Sequence, residues 1–234
     1  MGGRGGIIMT RVRGSKARIE RKTVISDTEF QQILEKADRI EDRFFRLRAK
    51  ALLCVLRLSG KRRGEIALLE CEDFKVKGDL LHITFTVLKK RKKEVLKRRS
   101  PKAVPLSDPL TEPILEWLDY LEKLDPAPKY FLPRVKSVFG FHYIMRDAHI
   151  SGRQVFNIVR GCTEKVWPHL FRETCAADVV RQDPSIIAAF KVKKRLDLKD
   201  IKTGFRYLDR FAVDIIEREG SFKSSGKLDV IERE

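Results

Sequence analysis

Several things this sequence lacks narrow what it can be. Its four cysteines, Cys54, Cys71, Cys162 and Cys175, are scattered, and no C-x-x-C pair suggests a thiolate zinc site. Each lies in an apolar or helical context, which reads as buried free thiols in a reducing compartment. No run approaches 18 apolar residues and the Gly/Arg-rich beginning has no signal-peptide core, so neither a membrane span nor secretion is expected. A P-loop and an acidic metal cluster are both missing, so no metal or nucleotide cofactor is expected. Negative charge is also short. Asp and Glu number 33 against 50 Lys and Arg, a net charge of +17. A cation excess of this size implies a polyanionic partner, nucleic acid first and an anionic membrane second. The expected location is the cytoplasm, in association with the nucleoid.

The 234 residues are 42% hydrophobic, enough for a real core in one generous domain or two small ones. Residues 1–23 mix Gly and Arg without periodicity and read as a flexible basic arm. Order begins at "ISDTEFQQIL", where Ser26 and Glu29 have capping-box spacing ahead of Phe30, Ile33 and Leu34. "FFRLRAKALLCVLRL" predicts a central helix from about Asp42 to Leu58, ended by Gly60. A short helix, "GEIALLE", follows. "GDLLHITFTVL" and "KAVPLS" read as paired strands around a long cationic tip. Beyond them come a helix at "EPILEWLDYLEKL", a Pro-rich loop at "DPAPKYFLPR", and helices near 151–162, 168–182 and 204–219. Residues 220–234 read as a polar tail. There is no internal repeat. The expected fold is α+β and mostly helical, with a small antiparallel three-stranded sheet, in one domain over 24–219.

Four features could carry chemistry. Arg62 and Arg63 sit at a Gly-bounded break between apolar helices, where a planar guanidinium fork can project toward phosphate oxygens. A solvated turn is the plainer reading. The hairpin tip holds Lys89, Lys90, Arg91, Lys92, Lys93, Lys97, Arg98, Arg99 and Lys102, opposed only by Glu94. Contact with a phosphate backbone is favoured there over a merely solvated face. Lys89 and Lys90, at a strand end, are held well enough to do more than bind. "WPHLFRET" puts His169 and Arg172 three apart at a helix start opened by Pro168, an anion-binding arrangement. A partly buried histidine, with the arginine paired to Glu173 or Asp178, is the alternative. Tyr207 lies early in an amphipathic helix whose apolar face is Leu208, Phe211, Ala212, Ile215 and Ile216. It is either packing or a nucleophile.

Arg at a helix break, Lys on a β-hairpin, His-x-x-Arg at a helix start and Tyr 35 residues later, in that order, resembles the tyrosine recombinase (phage integrase) family. "SGKRRGEIALLECEDF" is similar to that family's first-arginine box, which puts Arg62 at the catalytic arginine and Glu65 at the buried acid. "HLFRET" resembles H-x-L-R-H-[ST], matching His169 and Arg172. "LDLKDIKTGFRYL" resembles the closing segment that begins L-G-H and ends on the tyrosine, matching Tyr207. The resemblance spans roughly 24–219. It implies the fold of DNA breaking-rejoining enzymes and a 3′-phosphotyrosyl intermediate. Arg62 and Arg172 would clamp the phosphate, His169 would assist or hold it, and Lys89 or Lys90 would act as general acid. Leu198 falls where the family has a second His or Trp, and Glu173 where it often has His. Most of the family also carries an N-terminal core-binding domain where this chain has only the arm. Archaeal and viral integrases diverge in similar ways.

The implied partner is double-stranded DNA, with no membrane. The chain is expected to be a monomer when free and to assemble as dimer to tetramer on DNA, with Phe211, Ile215 and Ile216 as candidate anchors between protomers. Two other readings stay open, a type IB topoisomerase-like relaxing enzyme and a catalytically weak DNA-binding relic of the fold.

Overall fold

A computed structural model describes residues 24–91, 94–139 and 141–223; within these, nothing is described of the side chains at 88–98 and 213–223. The basic arm, Lys92, Lys93 and residues 224–234 therefore lie outside the described residues. Helix α1 (Asp27–Asp38) opens on a complete capping box, Ser26 Oγ accepting from the Glu29 N–H and the Glu29 carboxylate from the Ser26 N–H. Helix α2 (Arg43–Ser59) is capped by the Asp42 carboxylate and ends at Gly60 in the left-handed conformation, φ 58°. Positions 51–56 of α2 are all buried, so this helix is the axis of the main core. Full burial of each such Leu or Val is worth about 1.5–3 kcal/mol relative to exposure.

After the short α3 (Arg63–Ala67) and a 3-10 turn, three antiparallel strands form a sheet in the order β1 (Phe74–Lys77), β2 (Leu80–Arg91), β3 (Glu94–Pro105). Leu81, Ile83, Phe85 and Val87 alternate into the core. The cationic tip differs from expectation. Instead of a long loop, the ladder runs unbroken to the Arg91↔Glu94 pair, through Lys89↔Leu96 and Lys90↔Val95. Backbone pairing needs no apolar side chains, so a lysine-rich stretch can remain strand. Helix α4 (Glu112–Glu122) packs Trp117 inward, its indole N–H donating to the Phe131 carbonyl at 2.8 Å.

Three elements were not anticipated. Strands β4 (Pro133–Val138) and β5 (Phe141–His149) form a second, two-stranded sheet just after the Pro-rich loop. Helix α7 (Ile186–Arg195) follows α5 (Gly152–Cys162) and α6 (Pro168–Gln182). The last helix, α8 (Ile201–Lys223), starts before residue 204 and continues beyond 219. Cys175, Ala176, Val180, Ala188, Val192, Leu196 and Phe211 form a second, smaller core joining α6, α7 and α8. Phe211 is thus buried in its own domain, and the side chains of Ile215 and Ile216 fall outside the description. Helices α7 and α8 touch backbone to backbone at Gly204, where a Cβ would lie 2.4 Å from the Ala189 carbonyl oxygen.

Candidate active site

The site is built on the C-terminal end of α2. A helix leaves its last four carbonyls without intrahelical partners, and the helix dipole makes that end partially negative. Here four consecutive carbonyls are each met by a side chain from another element. Cys175 Sγ donates to the Arg57 carbonyl at 3.0 Å and Arg195 Nη2 to that of Leu58 at 2.9 Å. Lys102 Nζ donates to the Ser59 carbonyl at 3.1 Å, and Arg172 Nη1 to that of Gly60 at 2.8 Å. Helices α6 and α7 and strand β3 thereby converge on one turn. Gly60 has two reasons to be glycine: its positive φ, and the 2.8 and 2.9 Å at which a Cβ would meet Leu196 Cδ2 and Cys175 Cβ. Burial, then the neighbouring charge of Arg195, push the Lys102 ammonium down to about 7.

Directly after this turn, Arg62 caps α3. Its backbone N–H donates to Glu65 Oε2 at 2.9 Å and its guanidinium to Oε1 at 3.2 Å, while the Glu65 side chain is 2% exposed. The buried carboxylate holds the arginine by both backbone and side chain, leaving the guanidinium half exposed. A cavity of about 440 Å³ opens beside it, lined by Lys61, Arg62, Arg63, Gly64, Glu65, Phe156, Trp167, Pro168, His169 and Arg172. The first turn of α6 forms one wall, with Pro168 at its first position. Its free N–H groups add to the cavity's positive potential.

Arg172 is 3% exposed. Besides the Gly60 carbonyl it donates to that of Leu196 at 2.5 Å, and the Tyr207 side chain lies near enough to act on its charge. Burial and then the adjacent charge of Arg62 lower its pKa, with Tyr207 and Glu65 opposing them. Tyr207 is partly buried, with its ring stacked on Phe211 at 6.2 Å. It does not line the cavity but reaches it through Arg172. His169 is largely exposed, with Nε2 3.7 Å from Glu173 Oε1, and Glu173 also lies 3.5 Å from Arg210.

Four of the expected residues, Arg62, His169, Arg172 and Tyr207, thus come together, and the alternative pairing of Arg172 with Glu173 or Asp178 is not seen. Asp178 pairs instead with Arg57 and Arg181. Arg63 lines the same cavity, its aliphatic stem 3.3 Å from where a Cβ on Gly152 would lie. Arg99 is bonded to the buried Asp73 and to Thr86, so part of its charge is committed locally. Lys89, Lys90, Arg91, Lys97 and Arg98 are placed by backbone register alone. Leu198 packs against the second core. Lys102, expected among the phosphate-contacting cations of the hairpin, is instead partly buried on the Ser59 carbonyl. Arg195 and Cys175 were missed, because bonds to backbone carbonyls leave no spacing pattern in a sequence.

Among the described residues no group of three or more His, Cys, Asp or Glu is placed to hold a metal ion, and no helix is long and apolar enough to cross a membrane. Comparison with curated protein sequences gives no match. Solved structures with a similar fold include the XerH site-specific recombinase bound to its difH substrate, at TM-score 0.55 and 20% identity over 80% of this chain and 50% of that one. XerA recombinase follows at TM-score 0.57 and 17% identity, over 85% and 65% of the two chains. A lambda integrase dimer bound to a COC′ core site is similar at TM-score 0.50 and 16% identity, over 96% and 54%. The chain therefore spans between half and about two thirds of the length of these structures. The model of the phage integrase family matches residues 23–212. With Arg62, His169 and Arg172 lining one cavity inside that span and Tyr207 beside Arg172, the chain belongs to the phage integrase family of tyrosine recombinases.

Proposed function

We propose that this protein is a site-specific recombinase that cleaves and rejoins double-stranded DNA through a covalent 3′-phosphotyrosyl intermediate. The observation that carries the reading is the meeting of Arg62, His169 and Arg172 around one cavity, with the Tyr207 side chain near enough to Arg172 to act on its charge. A scissile phosphate in that cavity has its non-bridging oxygens between two guanidiniums, which offset the charge that grows in the pentacoordinate transition state. The Tyr207 oxygen attacks phosphorus, and the bond from phosphorus to the 5′-oxygen breaks. His169 takes up the phenolic proton, and a hairpin lysine delivers one to the departing 5′-oxygen. A second strand's 5′-hydroxyl then reverses the step.

Lys89 is our choice for that general acid. Strand alternation assigns position 89 to the row of positions 81, 83, 85 and 87, and position 90 to the opposite row. The hairpin cations and Arg63 would hold the flanking phosphates. The DNA-bound forms of XerH and lambda integrase support DNA as the substrate, and the dimeric lambda form supports assembly on it. We infer a monomer in free solution, kept apart by the charge of +17, that pairs into dimers and a tetrameric synapse once DNA neutralises it.

Leu198 supports a second reading, a weak catalyst or DNA-binding relic, because an apolar side chain in the second core cannot donate to a phosphate. A nicked suicide substrate separates the two. The parent protein should accumulate a covalent adduct, and Tyr207→Phe should form none while binding DNA within about threefold of the parent. DNA binding without an adduct in the parent would favour the relic. Plasmid relaxation without joining of two specific sites would favour a topoisomerase.

A further inference from the structure

Lys61 and Asp197 form an ion pair almost closed to solvent, at 1% and 8% residue exposure. Lys61 Nζ donates to Asp197 Oδ2 and, at 3.1 Å, to Ser100 Oγ; Ser100 Oγ donates to the same carboxylate oxygen at 2.9 Å. The ammonium also lies 5.0 Å from the centre of the Phe85 ring. These groups come from three distant parts of the chain. Stability alone gives little reason for the arrangement, since apolar replacement of a buried pair is often neutral or stabilising. The backbone points the same way. Asp197 has φ 49°, a conformation in which glycine is relaxed and most residues are not.

Each partner adjoins a different part of the active site. Lys61 immediately precedes Arg62. Ser100 pairs in register with Phe85 on the hairpin that carries Lys89. Asp197 follows Leu196, whose carbonyl accepts from Arg172, and leads into α8 with Tyr207. We propose that Lys61, Asp197 and Ser100 act as positioning residues, fixing the Arg62 turn, the hairpin and the start of the tyrosine helix relative to one another. This rests on the recombinase reading for its consequence, though not for its geometry. A misplacement of about 1 Å between nucleophile and phosphate can cost a hundredfold in rate.

The test is the double variant Lys61→Met/Asp197→Gly, which removes both charges and relaxes the backbone. It should melt at or above the parent temperature and bind a DNA half-site within about threefold of it. Adduct formation on a suicide substrate should slow by about 10- to 100-fold. Amide exchange at 61–65 and 196–207 should quicken. Lys61→Gln/Asp197→Asn keeps a hydrogen-bonded pair without an unpaired buried charge and tolerates the left-handed conformation, so it should recover most of the rate. Parental cleavage with parental exchange in the double variant would overturn the proposal. So would a lower melting temperature in the double variant, which would make the pair a fold-stabilising feature. If the parent itself forms no adduct, the recombinase reading fails, and the exchange comparison alone decides the positioning.

Discussion

Arg62→Ala and Arg172→Ala should be alike in catalysis and unlike in stability. Each removes one guanidinium from the cavity proposed for the scissile phosphate, and losing one transition-state charge partner costs about a hundredfold or more. Their surroundings differ. Arg172 is 3% exposed and satisfies the Gly60 and Leu196 carbonyls at 2.8 and 2.5 Å. A buried acceptor left unsatisfied costs about 1–3 kcal/mol, so two such losses come to about 2–6 kcal/mol. For a domain of this size each kcal/mol lowers the melting temperature by roughly 2–4 °C, which puts the fall at roughly 5–20 °C. The Arg62 side chain is 51% exposed, and its partner Glu65 keeps its bond from the residue 62 N–H at 2.9 Å. Its removal should cost no more than about 1 kcal/mol. Calorimetry beside single-turnover cleavage measures both quantities. Two variants melting within about two degrees of each other would refute the claim that Arg172 also holds the α2 terminus and the α7–α8 turn.

Gly60→Ala should destabilise by about 2–5 kcal/mol in urea titration, combining the left-handed penalty with a Cβ forced against Leu196 and Cys175; a neutral result would mean that the turn can shift. Lys102, lowered from 10.5 to about 7 by burial and Arg195, gives the unfolded chain the extra proton between those values. Stability should therefore rise with pH through that window, the full cost being present below about 7, and Lys102→Met should remove this part of the slope. Equal slopes in parent and variant between pH 7 and 8.5 would contradict it. Neutralising Lys92, Lys93, Lys97 and Arg98 together should flatten the salt dependence of DNA binding by about one unit of slope per lost phosphate contact. Arg99 is left in place because it holds the buried Asp73. An unchanged slope would mean that the tip points away from DNA.

What could be read from the sequence follows its physics. Helices α2 and α6 announce themselves through a long apolar stripe, an N-terminal Pro168 and a terminal Gly60. Helix α7 inverts the usual pattern, burying the small Ala188, Ala189 and Val192 while exposing Ile186, Ile187 and Phe190 at 64, 55 and 56%. A hydrophobic-stripe argument passes over such a helix. Strand β5 is hidden in the same way, with Phe141, Tyr143 and Met145 outside rather than in the core. In the site, the order of Arg62, His169, Arg172 and Tyr207 was legible because each stands in a recognisable box. The layer beneath them was not. Lys61 and Arg195 read as two more cations in a basic chain, and only the folded structure shows one bonded to Asp197 and the other to a helix terminus. The αL conformation of Asp197 likewise leaves no trace in its spacing.

The central claim is that Tyr207 attacks a phosphate held by Arg62 and Arg172. Its most direct test is to trap the protein on a suicide substrate, digest protein and DNA, and locate the nucleotide mass by peptide sequencing in a mass spectrometer. The account requires that mass on the phenolic oxygen of Tyr207, linked through a 3′-phosphate with a free 5′-hydroxyl on the released strand. An adduct on Tyr120, Tyr130 or Tyr143, or a 5′-phosphate linkage, would contradict it.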